Sequence, residues 1–569
     1  MHFTLIYALI ITRGLEGVTE VAALIVGDIG KTDFGRDVVV KMNDGGLSNI
    51  HETHTAFIPL QYPILFPYGE DGFREDIPIS EMFRNMGSYK RWRVSLRQFI
   101  SFRLQERYNE YGNIVYAKRL FQQFVVDAYT MIEANRLSYI RRNQNVIRAD
   151  YLNGVAEAIE KGETYPTSVG KRIIWPPSFT DGRRYKFNNC QDAMSICKKF
   201  GYPYLFITTT CNSQWGGIQR FVRARNLKPE DRPDICVRVF KMKLDHLMSV
   251  LRKGKIFGAV DAAELPDPQL YPKLYKAVSS YMIHGPCGVI DPKSVCMVEG
   301  KCSKHFPKKY QNCTSIDDDG FPIYKRRKTR ISTVKKGVPL DNGFVVPYNP
   351  QLLMSYQGHI NVVYCNKSNA IKYLFKYINK GNDRVNVQIS KDNGDSTQQN
   401  QDEIKQFYDC RYLTPCEAAW RTFKFDIHDR WPPVKRLSFH LPGEQCILFN
   451  DNEDLEDVVD TCSRKDTMFL AWMKANKQFP EGRHLTYAEY PSMFVYNKSK
   501  QYWSRRKKGF SLGRLQYIAP GMGEVYYMRV LLTKQRGCDS FESLRTVKGV
   551  IYPTFQDACD AMGLMEDER

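Results

Sequence analysis

Hydrophobic residues recur at helical spacing in three long stretches of the chain. Apolar positions every three or four residues predict helices over 93–108, 120–140 and 236–251. In the first of them, Phe102 is expected to face the interior, and arginines form the opposite, outer stripe. In the third, the residues on one side are Cys236, Phe240, Leu244, Leu247, Met248 and Leu251.

Short runs of β-branched and aromatic residues alternate with helical patterns in the middle of the chain. They predict strands at 173–175, 204–210 and 256–260, and therefore an α+β fold. A mainly helical N-terminal domain is expected over 20–165, and an α+β domain over 166–390. A polar linker at 391–410 and a second α+β region at 411–569 follow, whereas residues 1–19 show no clear pattern.

The balance of charges favours a polyanionic partner. The chain of 569 residues has 82 Lys and Arg against 62 Asp and Glu, a formal charge of +20. Nucleic acid is the first candidate, an acidic membrane surface the second, and simple solubility the alternative. No apolar run approaches the roughly 18 residues that span a bilayer. The cysteines are mostly scattered singly, as expected for reduced thiols in the cytosol or nucleus.

The segment SNAIKYLFKYINKG at 368–381 predicts a helix with two different faces. The apolar face carries Ile371, Leu374, Phe375 and Ile378, and the opposite face carries Tyr373, Lys376, Tyr377 and Lys380. Lysines could neutralise a phosphodiester, and a tyrosine could attack its phosphorus if a metal or a base activates it. The alternative is an ordinary amphipathic helix whose lysine stems cover apolar surface.

A cluster of possible metal ligands lies at 284–313, where glycines and prolines supply tight turns. His284, Cys287, Cys296, Cys302 and His305 are five soft or borderline ligands, and Cys313 is a sixth. Structural zinc needs four, and we predict His284, Cys287, Cys296 and Cys302. The alternative is a set of unrelated reduced cysteines in a glycine-rich loop.

Basic runs at 325–328 and 505–508 are candidate nucleic-acid contacts. In the second run the cations are flanked by Tyr502, Trp503 and Phe510. Cations can neutralise the phosphates of a single strand while aromatic rings stack on its bases. Either run could equally be a solvated loop. An ATP site is not found, because Ile25 stands where a phosphate-binding loop ending in Gly30, Lys31 and Thr32 requires glycine.

Several segments, taken in order, resemble the Rep-like region that Helitron transposons encode ahead of their helicase. They are IHETHTAFIPLQYPILFPYGEDGF (50–73), RLSYIRRNQ (136–144), YLFITTTCNSQW (204–215), MIHGPCG (282–288), VVPYNPQLL (345–353), AIKYLFKYINKGNDR (370–384) and SFESLRTVKGVIYPTFQDAC (540–559). The similarity extends from about residue 20 to the C-terminus.

The resemblance implies a nuclear protein of rolling-circle transposition that acts on single-stranded DNA. Its fold would contain the antiparallel sheet of HUH nucleases with flanking helices. In that family a His-x-His motif holds Mg²⁺ or Mn²⁺, and two tyrosines form phosphotyrosine links. These tyrosines correspond to Tyr373 and Tyr377. The residues expected to contact DNA are Lys376, Lys380, Arg141, Arg142, Phe206, Thr208, Asn212, Arg505, Arg506 and Lys507.

Two departures from the family change the expected activity. Val260 is joined directly to Asp261, so the segment with the His-x-His motif is missing, and the Rep-like sheet is expected to be incomplete. The chain also stops at Arg569, about where the fused helicase would begin, as in a degenerate copy or a mis-spliced gene. We therefore expect a protein that binds single-stranded DNA without nicking it, with any helicase supplied in trans.

Two alternatives stay open. One is a working tyrosine nuclease in which His305, His359 or a carboxylate supplies the missing metal ligands. The other is an inert remnant whose Rep-like core does not fold.

Overall fold

A computed structural model describes most of the chain, which folds as two compact units. The first unit comprises Ala8–Leu137 and Tyr202–His428, and the second comprises His2–Tyr7, Ser138–Gly201 and Asp429–Arg569. The described residues are 5–8, 38–41, 47–50, 52, 54–81, 92–107, 112–144, 147–160, 171–172, 179–180, 182–253, 262–317, 322–365, 407, 411–450 and 452–564.

The described part mixes helices with small sheets, as predicted. The helices are α1 Phe57–Gln61, α2 Leu96–Arg103, α3 Arg119–Gln144, α4 Leu152–Glu160, α5 Arg183–Phe200, α6 Gly216–Arg223, α7 Pro233–Arg252, α8 Pro272–Tyr281, α9 Pro350–Tyr356, α10 Pro415–Thr422, α11 Leu455–Ser463, α12 Met468–Gln478, α13 Glu524–Leu531, α14 Phe541–Leu544 and α15 Phe555–Ala561.

The strands are short, and most of them pair two by two. They are β1 Leu5–Ala8, β2 Val38–Lys41, β3 Leu47–Ile50, β4 Ile147–Tyr151, β5 Lys171–Arg172, β6 Leu205–Thr209, β7 Met297–Val298, β8 Lys301–Cys302, β9 Ser315–Ile316, β10 Pro322–Ile323, β11 Thr333–Lys335, β12 Val338–Leu340, β13 Ile360–Tyr364, β14 His428–Trp431, β15 Val434–Leu437, β16 Cys446–Asn450, β17 Phe494–Asn497, β18 Tyr502–Arg505, β19 Leu512–Leu515, β20 Thr546–Val547 and β21 Val550–Ile551.

Helix α7 confirms the amphipathic pattern at 236–251. Pro233 occupies its first turn, where the missing N–H costs no hydrogen bond. All six residues predicted to face inward are buried: Cys236, Phe240, Leu244, Leu247, Met248 and Leu251. The apolar stripe therefore packs into the core of the first unit.

Helix α2 confirms the predicted helix but not the orientation of one side chain. Ser95 and Gln98 form a capping box that starts the helix at Leu96, three residues later than the apolar pattern suggested. Phe102 was expected to face inward and is instead 54% exposed. The guanidinium of Arg107 lies 3.8 Å from the centre of its ring, so this cation covers the aromatic face.

The strand predicted at 204–210 is β6, which pairs antiparallel with β13. Phe206 is opposite Val363, and Thr208 is opposite Asn361. Trp215, which follows the strand, is buried and donates from Nε1 to the carbonyl of Tyr356 at 2.6 Å. Among the described residues this sheet has two strands. The larger HUH-type sheet stays a prediction, and the strands predicted at 173–175 and 256–260 lie outside the described residues.

The second unit has an aromatic core next to a parallel strand pair. The core includes the buried rings of Phe469, Trp472, Tyr487, Tyr490 and Trp503. Strands β15 and β19 run parallel, and the four residues of each are paired in register. No helix in the described ranges has the length and apolar character to cross a membrane.

Candidate metal centre and nucleic-acid contacts

A tight hairpin brings two of the predicted metal ligands together. Strands β7 and β8 pair antiparallel, with Met297 opposite Cys302. The two residues between them, Glu299 and Gly300, have φ values of 48° and 75°. Positive φ at both positions is the geometry of a two-residue type I′ turn, which matches the twist of a hairpin. Cys296 precedes one strand and Cys302 ends the other, so both thiols lie at the same end of the hairpin.

The four predicted ligands form one cluster. The side-chain ligand atoms of His284, Cys287, Cys296 and Cys302 all lie within 4.8 Å of one another. Sγ of Cys302 is 3.4 Å from Nε2 of His284. A sulfur and a nitrogen on one tetrahedral zinc ion would be about 3.6 Å apart. The donor set and its spacing therefore fit a closed tetrahedral zinc site.

The cluster belongs to the core of its own segment. Cys287 and Cys302 are buried with Val278, Met282 and Val345 in one hydrophobic cluster. The ring of His284 stacks on Phe306 at 4.2 Å between centroids, and its backbone N–H donates to the carbonyl of Phe344 at 2.9 Å. These contacts hold the imidazole beside the thiols.

The thiols differ in their acidity. Burial, reinforced by hydrogen bonds with the neighbouring thiols, raises the pKa of Cys287 to about 12. Burial also acts to raise the pKa of Cys302, but the backbone N–H groups of Phe306 and Lys304 stabilise its thiolate and lower the pKa overall. A bound cation would stabilise the thiolate form of all three cysteines.

The remaining candidate ligands of this segment do not join the cluster. Cys313 is exposed. Within the described residues, the group that could hold an ion consists of the four named ligands, and neither His305 nor His359 belongs to it.

The predicted catalytic helix lies outside the described residues. This applies to Tyr373, Lys376, Tyr377 and Lys380, and to the junction at 260–261. Arg141 and Arg142 occupy the last turn of α3, but their side chains are likewise outside the description.

The Rep-like strand places its predicted contacts on and after β6. Phe206 and Thr208 lie within the strand and are partly buried. The side chain of Asn212 is engaged in the following turn, because Nδ2 donates to the carbonyl of Gln357 at 2.5 Å and Oδ1 accepts from the N–H of Gln214 at 2.9 Å. Asn212 therefore shapes the end of this strand.

The arginines of the run at 505–508 are engaged within the chain. Arg505 forms an ion pair with Glu481. Arg506 donates from Nε and Nη2 to the carbonyl of Pro491 at 3.1 and 2.9 Å. Lys507 and Lys508 are exposed.

Sequence analysis did not single out a cluster of arginines around Asp192 in the second unit. Arg430, Arg436 and Arg514 all pair with its carboxylate. Since these residues are more than 230 positions from Asp192 along the chain, no local pattern could have indicated the cluster.

Comparison with known families gives a match to part of the chain. Residues 99–264 match the family described as "Helitron helicase-like domain at N-terminus". The matched range begins in α2 and includes α7 and β6. A search of curated proteins finds no match to the chain.

Proposed function

Because residues 99–264 form a Helitron helicase-like region, we propose that the chain is a Helitron-derived, Rep-like protein that binds single-stranded DNA. The match to this family is the observation that carries the proposal. The formal charge of +20 supports it, since a basic protein gains affinity for a polyanion by releasing the counterions of the phosphates. Such a protein would work in the nucleus.

The cluster at His284 would serve as a structural zinc site. A structural site has four protein ligands, whereas a catalytic zinc keeps one position open for water or substrate. Here one imidazole and three thiols supply all four ligands. Thiolates prefer zinc to Mg²⁺ or Mn²⁺, so this centre is poorly suited to the metal chemistry of an HUH nuclease.

Two observations support binding without nicking. Val260 is followed directly by Asp261, with no His-x-His segment between them. Neither His305 nor His359 joins a group of metal ligands among the described residues. The alternative, an active tyrosine endonuclease with substitute ligands, depends on Tyr373 and Tyr377, which could be activated by groups outside those residues.

One experiment separates the two activities. The purified chain is mixed with labelled single-stranded DNA and Mg²⁺ or Mn²⁺, and each sample is run on a native and a denaturing gel. The proposal expects a shifted band on the native gel and no adduct on the denaturing gel. An adduct that Tyr373→Phe or Tyr377→Phe abolishes would establish the nuclease instead. If neither gel shows a complex, the proposed function is wrong.

A further inference from the structure

Two arginines face each other across the parallel strand pair of the second unit. Arg436 on β15 and Arg514 on β19 are Cα partners. Paired residues of adjacent strands point to the same face of a sheet, so two cations are side by side. Like charges in this arrangement repel each other unless an anion lies between them.

Asp192 on α5 is that anion, and it is shared among three cations. Its Oδ1 accepts from Nε of Arg514 at 2.7 Å. Its Oδ2 pairs with Nη2 of Arg436 at 2.8 Å and with Nη1 of Arg430, from β14, at 2.6 Å. For these three arginines, every ion pair among the described residues is with Asp192. Three positive charges thus share one negative charge.

A neighbouring acidic residue, Asp429, does not neutralise the excess positive charge of these three arginines. Asp429 precedes Arg430 in β14 and accepts its backbone N–H through Oδ1 at 2.9 Å. Successive side chains of a strand point to opposite faces, so Asp429 belongs to the other side of β14. The guanidinium face keeps an excess of positive charge.

Exposure divides the cluster into an inner and an outer part. The side chains of Asp192 and Arg514 are 1% and 9% exposed, so they form an internal ion pair. The side chains of Arg430 and Arg436 are 27% and 39% exposed. The excess charge therefore lies on the two arginines that solvent can reach. An arriving anion would meet guanidinium groups that Asp192 already holds in place.

Exposed aromatic rings lie on or next to the same elements. Phe187 on α5 is 49% exposed, and Tyr517, two residues after β19, is 53% exposed. Their ring centroids are 6.3 Å apart in an edge-to-face arrangement. Cations together with open aromatic rings are the usual platform for single-stranded nucleic acid, where phosphates pair and bases stack.

We propose that Arg430 and Arg436, held in position by Asp192, bind a backbone phosphate of single-stranded DNA. A planar guanidinium can donate two parallel hydrogen bonds to phosphate oxygens, whereas the ammonium group of lysine acts as a compact single charge. This inference rests on the proposed DNA binding and assigns part of it to the second unit, outside the matched residues 99–264.

The test compares two double variants of the full chain that remove the same charge. Arg430→Gln with Arg436→Gln removes the outer arginines. The control, Arg464→Gln with Lys474→Gln, removes two exposed cations of the same unit, each paired with a single surface aspartate. Affinity for a fluorescein-labelled single-stranded oligonucleotide is measured by anisotropy at several salt concentrations.

We expect the cluster variant to bind about 10-fold more weakly. Its slope of log K against log salt should decrease in magnitude by about 0.7, which corresponds to one phosphate of a single strand that is no longer neutralised. The control should stay close to the wild type. If both variants retain wild-type affinity and slope, the cluster is not a DNA site, although the proposed function stands. If the wild-type chain itself does not bind, both proposals are wrong.

A second measurement needs no variant and so does not depend on folding of the altered chain. Phenylglyoxal modifies accessible arginines, and mass spectrometry locates each modified residue. Single-stranded DNA should slow the modification of Arg430 and Arg436 but not that of Arg464. Equal rates with and without DNA at all three residues would overturn the proposal.

Discussion

Sγ of Cys302 lies 3.4 Å from Nε2 of His284, although the two residues are 18 positions apart in the chain. The glycine-containing turn at 299–300 and the stacking of His284 on Phe306 produce this approach. Together with Cys287 and Cys296 they form a site whose shape fits zinc. The stability of the surrounding segment should therefore depend on metal.

Replacing one ligand should release the ion and destabilise the segment around 262–365. We expect Cys302→Ser to reduce zinc from about one ion per chain to near zero. Loss of a structural metal should cost about 3 kcal/mol or more of unfolding free energy. Metal content is measured by mass spectrometry, and local unfolding by hydrogen exchange. Cys313→Ser is the control because Cys313 is exposed and outside the cluster. Full zinc content in Cys302→Ser would contradict the assignment.

Removing the shared anion should destabilise the second unit strongly. In Asp192→Asn, Arg430, Arg436 and Arg514 lose their common partner. Leaving buried charge unpaired costs about 3 kcal/mol or more. Added salt should recover part of that loss by screening the repulsion. Urea unfolding followed by tryptophan fluorescence measures the effect.

The matched control for that variant is a surface pair. Asp460 and Arg464 have side chains that are 69% and 78% exposed, so Asp460→Asn should cost less than about 1 kcal/mol. Equal losses in the two variants would mean that the Asp192 cluster does not hold the unit together.

Gly513 should tolerate no side chain. A Cβ at this position would lie 2.2 Å from the carbonyl oxygen of Ala488 and 2.9 Å from Cδ1 of Leu437. Because the backbone at Ala488 would have to shift to relieve this contact, Gly513→Ala should destabilise the second unit by about 3 kcal/mol. At Gly521 a Cβ would meet nothing within 4 Å, so Gly521→Ala is the control. Differential scanning fluorimetry compares them, and equal melting temperatures would refute the close approach.

His440 should make the second unit sensitive to acid. Burial lowers the pKa of His440 in the folded chain. Its Nδ1 lies 2.8 Å from the carbonyl of Leu441, and its Nε2 lies 2.9 Å from Oγ1 of Thr467. The carbonyl of Leu441 can only accept a hydrogen bond, so Nδ1 carries the proton of the neutral ring. Nε2 then accepts a hydrogen bond from Oγ1 of Thr467. The same Oγ1 accepts the N–H of Leu470 and caps α12.

The pH dependence follows from the sign of that shift. In the unfolded chain this histidine binds a proton below about pH 6.5, whereas in the folded chain its lowered pKa disfavours protonation. The free energy of unfolding should therefore fall as the pH drops through this range. Urea midpoints between about pH 8 and pH 5 should decrease less in His440→Gln than in the wild type. His484→Gln, at an exposed position, should follow the wild type. Parallel curves for all three proteins would contradict the role of His440.

Local patterns were sufficient to predict α7, β6 and the metal cluster. The stripe of α7 repeats every three or four residues, so its buried face could be assigned without any partner. The four metal ligands lie within 19 residues, where glycines and prolines force tight turns. In both cases the interactions that fix the structure are close in sequence.

Contacts between distant residues could not be predicted in this way. Asp192 meets Arg514 across 322 positions, and only the packing of α5 against β15 and β19 brings them together. The predicted orientation of Phe102 was also wrong, but for a local reason. The helix begins later than the apolar pattern, and Arg107 covers the ring outside the core. A pattern of apolar residues does not show which of them a neighbouring cation will cover.

The central claim is that the chain binds single-stranded DNA through its positive charge. The most direct test measures the affinity of the full chain for a labelled single strand from about 50 to about 200 mM salt. We predict binding that weakens by at least about 10-fold over this range, since several phosphates would be neutralised. Absence of binding at the lowest salt, or an affinity that does not change with salt, would contradict the account.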